Sequence, residues 1–323
     1  MSIDLYPLMF KPVYKDYPWG GHRISDLFNR DLPPGIYAES WEISDHKDGM
    51  SIIENGYYKD RSFRSVLTDY FRLIIGKNAR HDSFPILIKI IDASEKLSVQ
   101  VHPDNETATK FGGEPKTEAW HIIGKNESAI YCGLKSGTTK QDFISGIENK
   151  TCKNLIRKVP FKHEDTVLIK GGCVHAIDAG CLILEIQQSS NTTYRIYDWD
   201  RITRNGKCRE LHIEKAIETI DWNNHPVALT PPTLICQNKQ FERWLLIKCD
   251  FFILDKLILD GFLENEMDGN SFHALFVSEG NINIKWNSDN ELYVPHGRSV
   301  LIPASLGIYK LTGKGTILRT MLP

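Results

Sequence analysis

LSVQVHPDNETATKFGGEPKTEAW, from Leu97 to Trp120, opens on strict alternation. Ser98, Gln100 and His102 fall on one face of an expected strand, and Leu97, Val99 and Val101 fall on the other. In an ordinary half-buried strand the polar face would meet water, and a Gln and a His there would be inert. Here a carboxylate follows at Glu118, inside a second extended run, TEAWHII. Neutral nitrogen or oxygen donors and one acid on adjacent strands make a coordination shell for a metal ion.

Upstream, FPILIKIIDAS (Phe84 to Ser94) is an Ile/Leu run bounded by Pro85 and Asp92 and is expected to be a buried strand. Lys89 sits in its middle. Such a lysine lies either on a sheet edge, reaching water, or in a polar cavity that holds an anion. The strand that follows, with Ser98, Gln100 and His102, favours the cavity. Between Arg61 and Gly76 the apolar residues Phe63, Val66, Leu67, Tyr70, Phe71 and Ile74 repeat at helical spacing, with Gly76 as the stop. The first 58 residues, with turns at Pro18 to Gly21 and Pro33 to Gly35, read as β-rich.

Downstream, HIIGKNESAIYCGLK gives two short strands around a turn. Thr139 to Val159 is expected to be helical, with one stripe of Phe143, Ile144 and Ile147 and another of Leu155, Ile156 and Val159. Strands resume at Asp165. Gly171 and Gly172 mark a turn, His175 follows, and Glu185 ends the apolar run GCLILE. Leu211 to Ile220 reads as a short helix and Asn223 to Pro232 as a linker. From Leu234 onward, short strands with Gly and Asn turns predict a sandwich or barrel.

The chain has 323 residues, enough for one large core or two modest ones. With 39 basic against 41 acidic residues, its net charge of -2 offers no electrostatic basis for nucleic acid or an anionic membrane as partner. The N-terminal segment lacks the apolar run of a signal peptide, and no window approaches the roughly 20 apolar residues of a spanning helix. A cytoplasmic setting is therefore expected. Seven cysteines without a CxxC pair suggest reduced structural thiols. Cys173, two residues before His175, is read as buried, since no second signal supports a nucleophile.

EDTVLIKGGCVHAI and GRSVLIPASLGIYKL share the outline of a cupin's second motif, a strand ending at a Pro-x-Gly turn followed by a His. In the first copy Lys170 replaces the Pro, Gly172 holds the Gly place and His175 is present. In the second Pro303 is present, but Ser305 replaces the Gly and Ile308 stands where the His would be. The expected fold is mainly β, with two cupin-like (jelly-roll) barrels and a few helices attached to the N-terminal half. Residues 1–230 would form the catalytic domain, and residues 231–323 a C-terminal domain lacking metal ligands.

FPILIKIIDASEKLSVQVHPDN and KTEAW, together with YKDYPWGGHR, GGCVHAI and YRIYDWDR, make the chain resemble the type I mannose-6-phosphate isomerases, or phosphomannose isomerases, of the bacterial branch. The resemblance spans nearly the whole chain. It implies that Gln100, His102, Glu118 and His175 form a site for one Zn2+ per chain, and that Arg195 is the catalytic arginine. It places Lys89 and Ser98 at the sugar phosphate and Lys116, Glu185 and Trp19 along the pocket. Some family members carry a Tyr two residues after the last zinc His; here that place is Ile177. The implied reaction converts mannose 6-phosphate to fructose 6-phosphate through an enediol, with Glu185 or Lys116 as candidates for proton transfer. The implied partner is a small sugar phosphate, with no obligate protein partner.

Other readings remain open from the residues alone. Two His and a carboxylate also suit the non-haem iron of a cupin oxygenase, and a non-catalytic bicupin could bind a sugar phosphate without turnover. Arg195 could pair with Asp198 or Asp200, Lys116 could be a solvated loop lysine, and Trp19 a packing anchor.

Overall fold

A computed structural model describes residues 5–202, 206–223 and 227–323. Two antiparallel sheets arise from the N-terminal part. One has six strands, in the order Thr166–Ile169, Glu118–Ile122, Leu182–Gln188, Ile86–Asp92, Glu39–Ile43 and Val13–Lys15. The other has five: Ile156–Phe161, Ser128–Leu134, His175–Ile177, Val99–Val101 and Tyr194–Tyr197.

Ile86–Asp92 is buried along its whole length and lies inside the six-stranded sheet, so Lys89 is not on an edge. The period of two divides its side chains between two cores. Ile86, Ile88 and Ile90 join a cluster with Leu182, Leu184 and Ile186 on one face. On the other face Ile91 packs with Trp120, Ile122 and Ile183, against Ile130, Cys132 and Ile177 of the five-stranded sheet. Lys89, Glu185 and Glu118 belong by alternation to this second, inter-sheet face, which is therefore apolar at its ends and charged in its middle.

The helix expected after Arg61 spans Phe63–Ile75 and covers the outer face of the six-stranded sheet. The Ser62 side chain accepts from the Ser65 amide at its start. Phe63, Val66, Leu67, Ile74 and Ile75 are buried, and burial of each is worth about 1.5–3 kcal/mol. The short helix Ile213–Thr219 likewise falls within Leu211 to Ile220, and it packs with Lys140–Glu148 on the outer face of the five-stranded sheet. Of the expected linker from Asn223 to Pro232, residues 224–226 lie outside the described residues.

Two expectations need correcting. The region from Thr139 to Val159 is helical only over Lys140–Glu148 and, as a 3-10 turn, Cys152–Leu155. Lys150, at φ 57, leaves the helix, and Ile156–Phe161 then runs as a strand beside Ser128–Leu134. Ile156 and Val159 are β-branched and fit a pleated surface; their apparent helical stripe is a chance spacing. The C-terminal strands are also longer than expected. Ile253–Glu266, His273–Trp286 and Ile308–Met321 each hold 14 residues. The glycines read as turns lie within them: Gly261 pairs with Gly313, and Gly280 with Gly315. Gly313 has φ +131, and a Cβ there would lie 2.7 Å from the Asn281 carbonyl oxygen, so the strand bends where only glycine fits.

These long strands belong to a nine-stranded sheet that also takes in Leu8–Lys11 from the N-terminal end, with Leu8 opposite Leu301. The two copies of the cupin outline adopt the same strand–turn–strand form, Thr166–Ile169 to His175–Ile177 and Ser299–Ile302 to Ile308–Met321. Phe252, Phe272 and Phe276 from the C-terminal half share a cluster with Phe63, Phe84 and the outer face of the six-stranded sheet.

Candidate metal centre and its cavity

Register brings the donors together. On the strand Val99–Val101, Gln100 is opposite His175 on one side and Arg195 on the other. Paired residues on neighbouring strands point to the same face, so the three lie in a row. His102 ends that run, and the turn at Gly171 and Gly172 packs directly onto the residues after it. The Gly172 amide donates to the His102 carbonyl at 2.8 Å. A Cβ on Gly171 would stand 2.8 Å from the Asp104 backbone. The double glycine is what lets the two histidines approach, to 4.8 Å between ring centroids. From the facing sheet, Glu185 is opposite both Lys89 and Trp120, and Glu118 stands two residues before Trp120.

His102 Nδ1 lies 2.9 Å from the Thr192 carbonyl oxygen, and His175 Nδ1 lies 2.9 Å from the Cys173 carbonyl oxygen. A carbonyl only accepts, so in each ring Nδ1 carries the proton and Nε2 presents a lone pair. Both Nε2 atoms face Glu118, at 3.5 Å for His102 and 3.4 Å for His175. The one-atom donors of His102, Glu118 and His175 lie within 4.8 Å of one another, all buried. Neither carboxylate oxygen of Glu118 accepts a well-formed hydrogen bond among the described residues. A buried carboxylate facing two imidazole nitrogens, with the Lys116 ammonium as its close charged partner, fits a divalent cation. Gln100 adjoins the cluster: its Nε2 is 3.2 Å from His175 Nε2, and its Oε1 accepts from Ser98 Oγ at 3.4 Å.

Electrostatics keep the donors in ligating form. Burial, then the Lys116 charge, pushes the His102 imidazolium down to about 3, and burial lowers His175. Burial alone would raise the Glu118 carboxyl, but Lys116 and His102 hold it well below the usual range. Lys116 Nζ is 2.6 Å from Glu118 Oε2 and 3.0 Å from His102 Nε2, supplying positive charge beside the acid. At 6% exposure it is no solvated loop residue.

Beyond this cluster a cavity of about 310 Å³ opens, lined by Trp19, Lys89, Ser98, Gln100, Lys116, Glu185 and Arg195 among others. Lys89 bridges Glu185 at 3.1 Å and Glu39 at 3.4 Å. Burial would lower its pKa, yet Glu185 and Glu39 together raise it. Glu185 is raised, first by burial and then by the Glu118 charge. Its Oε2 accepts from Trp120 Nε1 at 2.8 Å. Arg195 pairs with neither aspartate named from the sequence: Asp198 holds Arg209 at 2.5 Å, and Asp200 holds Lys150 at 2.7 Å. Trp19 is buried and stacks obliquely on Tyr17, 5.7 Å between centroids, while still forming cavity wall.

All ten expected site residues thus meet at one place. The sequence reading missed Arg209, Glu39, Tyr17, Asn191 and Thr193, which also line the cavity. Glu39 is betrayed only by its partner Lys89, which needs a carboxylate when buried. The described cysteines are free, and Cys173 is buried, its Sγ 3.8 Å from Cys132 Sγ.

Residues 8–128 match the model of the phosphomannose isomerase type I catalytic domain, and residues 243–322 that of the mannose-6-phosphate isomerase cupin domain. The chain is 37% identical over 314 residues to mannose-6-phosphate isomerase ManA of Bacillus subtilis (strain 168), covering 95% of this chain and 96% of that one. It is 37% identical over 256 residues to mannose-6-phosphate isomerase of Streptococcus mutans serotype c (strain ATCC 700610 / UA159), covering 79% of each. A crystal structure of the mannose 6-phosphate isomerase from Bacillus subtilis superposes with a TM-score of 0.91 at 29% identity, covering 98% of this chain and 99% of the other.

Proposed function

This chain belongs to the type I phosphomannose isomerases, and on that ground we propose that it is a zinc-dependent enzyme that interconverts mannose 6-phosphate and fructose 6-phosphate through an enediol. The observation that carries the zinc reading is the buried His102, Glu118 and His175 cluster, its donor atoms within 4.8 Å of one another and Glu118 facing both Nε2 atoms. His102, Glu118 and His175 would hold the ion, with Gln100 completing the set once its amide turns Oε1 inward. A bound Zn2+ would supply Lewis-acid polarisation of sugar oxygens.

The protein's own groups do the rest. Aldose–ketose conversion moves a proton between C1 and C2 and another between the oxygens. Glu185, raised by burial yet tied to Trp120, Lys89 and Lys116, is suited to take and return a proton. Lys116 would hand a proton between the oxygens, and Arg195 would stabilise charge on them. Lys89 and Ser98 bind substrate, with Trp19 closing the wall against water. We propose residues 1–230 as the catalytic part, since every group named lies there, and residues 231–323 as a second cupin-like part that buries the outer sheet face. A cytoplasmic setting goes with this reading. The oxygenase and non-catalytic readings are not favoured, because the relatives are isomerases by name.

A coupled assay with mannose 6-phosphate, with and without a chelator and alongside elemental analysis, tests this. Turnover that follows bound zinc is expected; inactive zinc-replete protein would refute it.

A further inference from the structure

The ring of His102 is aimed by a backbone carbonyl that lies outside every strand. That carbonyl belongs to Thr192, 2.9 Å from His102 Nδ1, in the segment 189–193 between the strands Leu182–Gln188 and Tyr194–Tyr197. His175 is different, since its carbonyl partner comes from Cys173, two residues before it. An imidazole takes its tautomer and orientation from the partner of its other nitrogen. Whatever fixes Thr192 therefore fixes His102.

Glu114 does so with three of its groups. Its amide donates to Thr192 Oγ1 at 2.9 Å, its carbonyl accepts from Ser190 Oγ at 3.0 Å, and its carboxylate Oε2 accepts from the Asn191 amide at 2.9 Å. Three consecutive residues are thus held by one. The carboxylate is itself gripped from the other side. His46 is 5% exposed, and its Nδ1 accepts from the Asp48 amide at 3.1 Å, so Nε2 carries the ring proton and donates to Glu114 Oε2 at 3.0 Å. Asp48 reaches the same segment, its Oδ2 accepting from Asn191 Nδ2 at 2.8 Å. The hairpin of Asp45–His46 and Gly49–Met50 therefore braces the loop that orients His102. Glu114 also stands two residues before Lys116, which pairs with Glu118 at 2.6 Å.

We propose that Glu114, itself held by His46, is a positioning residue of the metal centre: by fixing Ser190, Asn191 and Thr192 it keeps the Thr192 carbonyl on His102 Nδ1, and so keeps Nε2 of that ring turned to Glu118 in ligating form. Glu114 touches no ligand atom itself and acts only through the loop. This rests on the zinc reading for the identity of the ion.

The test compares wild type with Glu114→Ala, Glu114→Gln, Ser190→Ala and Thr192→Val. Zinc affinity is measured by competition with a chromophoric chelator, and the imidazole nitrogen chemical shifts of metal-free protein report the tautomer of each histidine. Glu114→Ala is expected to weaken zinc binding by about 10- to 100-fold, the range for losing an outer partner of a ligating histidine. In its metal-free form His102 should pass from the Nδ1-protonated form to a mixture of both tautomers, while His175 keeps its own. Glu114→Gln retains one acceptor oxygen and should recover part of the affinity. Ser190→Ala and Thr192→Val each remove one neutral hydrogen bond and should weaken zinc binding by about 2- to 10-fold; they carry the test if Glu114→Ala does not fold. Unchanged zinc affinity or an unmoved His102 tautomer would overturn the proposal, as would His102 and His175 shifting together, which marks a general loosening. If wild type binds no zinc, the zinc reading fails; the His102 tautomer in the same variants then still decides on Glu114.

Discussion

Replacing Trp120 by Phe isolates the ionisation of Glu185. Trp120 Nε1 donates to Glu185 Oε2 at 2.8 Å, and both side chains are buried. A hydrogen bond to a charged group is worth about 1.5–3 kcal/mol, and about 1.4 kcal/mol corresponds to one pKa unit. The bond favours the carboxylate. Its removal therefore raises the Glu185 pKa, already raised by burial and the Glu118 charge, by about one to two further units. If ionised Glu185 accepts the proton, the acid limb of kcat/KM against pH moves upward by that amount, and activity recovers towards the wild-type plateau at higher pH. The assay is the coupled conversion of mannose 6-phosphate across the pH range, on protein whose zinc content is measured. That control matters because the Trp120 ring also packs edge-on against His175, at 5.4 Å. A uniform fall in rate with the acid limb unmoved, at full zinc, would refute the assignment of Glu185 as base.

Other outcomes follow from the same structure. His121 is buried beside Thr166, and burial, then Lys256, pushes its pKa down to about 3, so between pH 3 and about 6.5 the unfolded chain binds the extra proton. Stability should fall by about 2 kcal/mol from this residue between pH 6.5 and 5, and urea midpoints should show His121→Gln losing that part of the slope. Glu118→Gln should abolish stoichiometric zinc by elemental analysis. It should also cost about 3–5 kcal/mol in denaturant unfolding, because Lys116 is left buried without its closest acid; full zinc content would count against the donor set. Gly313→Ala should cost at least about 1–3 kcal/mol, read as a lower thermal midpoint, from its φ of +131 and the Asn281 carbonyl.

Much of the site was legible because alternation is a strong signal over short distances. Ser98, Gln100 and His102 could be placed on one face from their spacing, and the face they share is the one that meets His175. Lys89 was ambiguous between edge and interior, since that depends on strand order, which sequence periodicity does not carry. The helix Asn105–Phe111 within the opening stretch went unread. It buries only Ala108, and so has no apolar stripe, although Asp104 and Thr107 form a capping box at its start. Arg209 was hidden for a different reason: it stands outside any regular element and owes its position to Asp198.

The strand Leu8–Lys11 bears on how the chain is made. Leu8 and Met9 pair with Leu301 and Val300 of the strand Ser299–Ile302, which is made long after them. At about 5–20 residues per second, the ribosome would deliver that partner roughly 15–60 s after the first strand emerges. During that interval Leu8 and Met9, both buried in the finished protein, lack the strand that pairs with them. Completion of the nine-stranded sheet thus waits on a strand far along the chain, and a nascent chain stalled before Ser299 would expose an apolar strand open to pairing with other molecules.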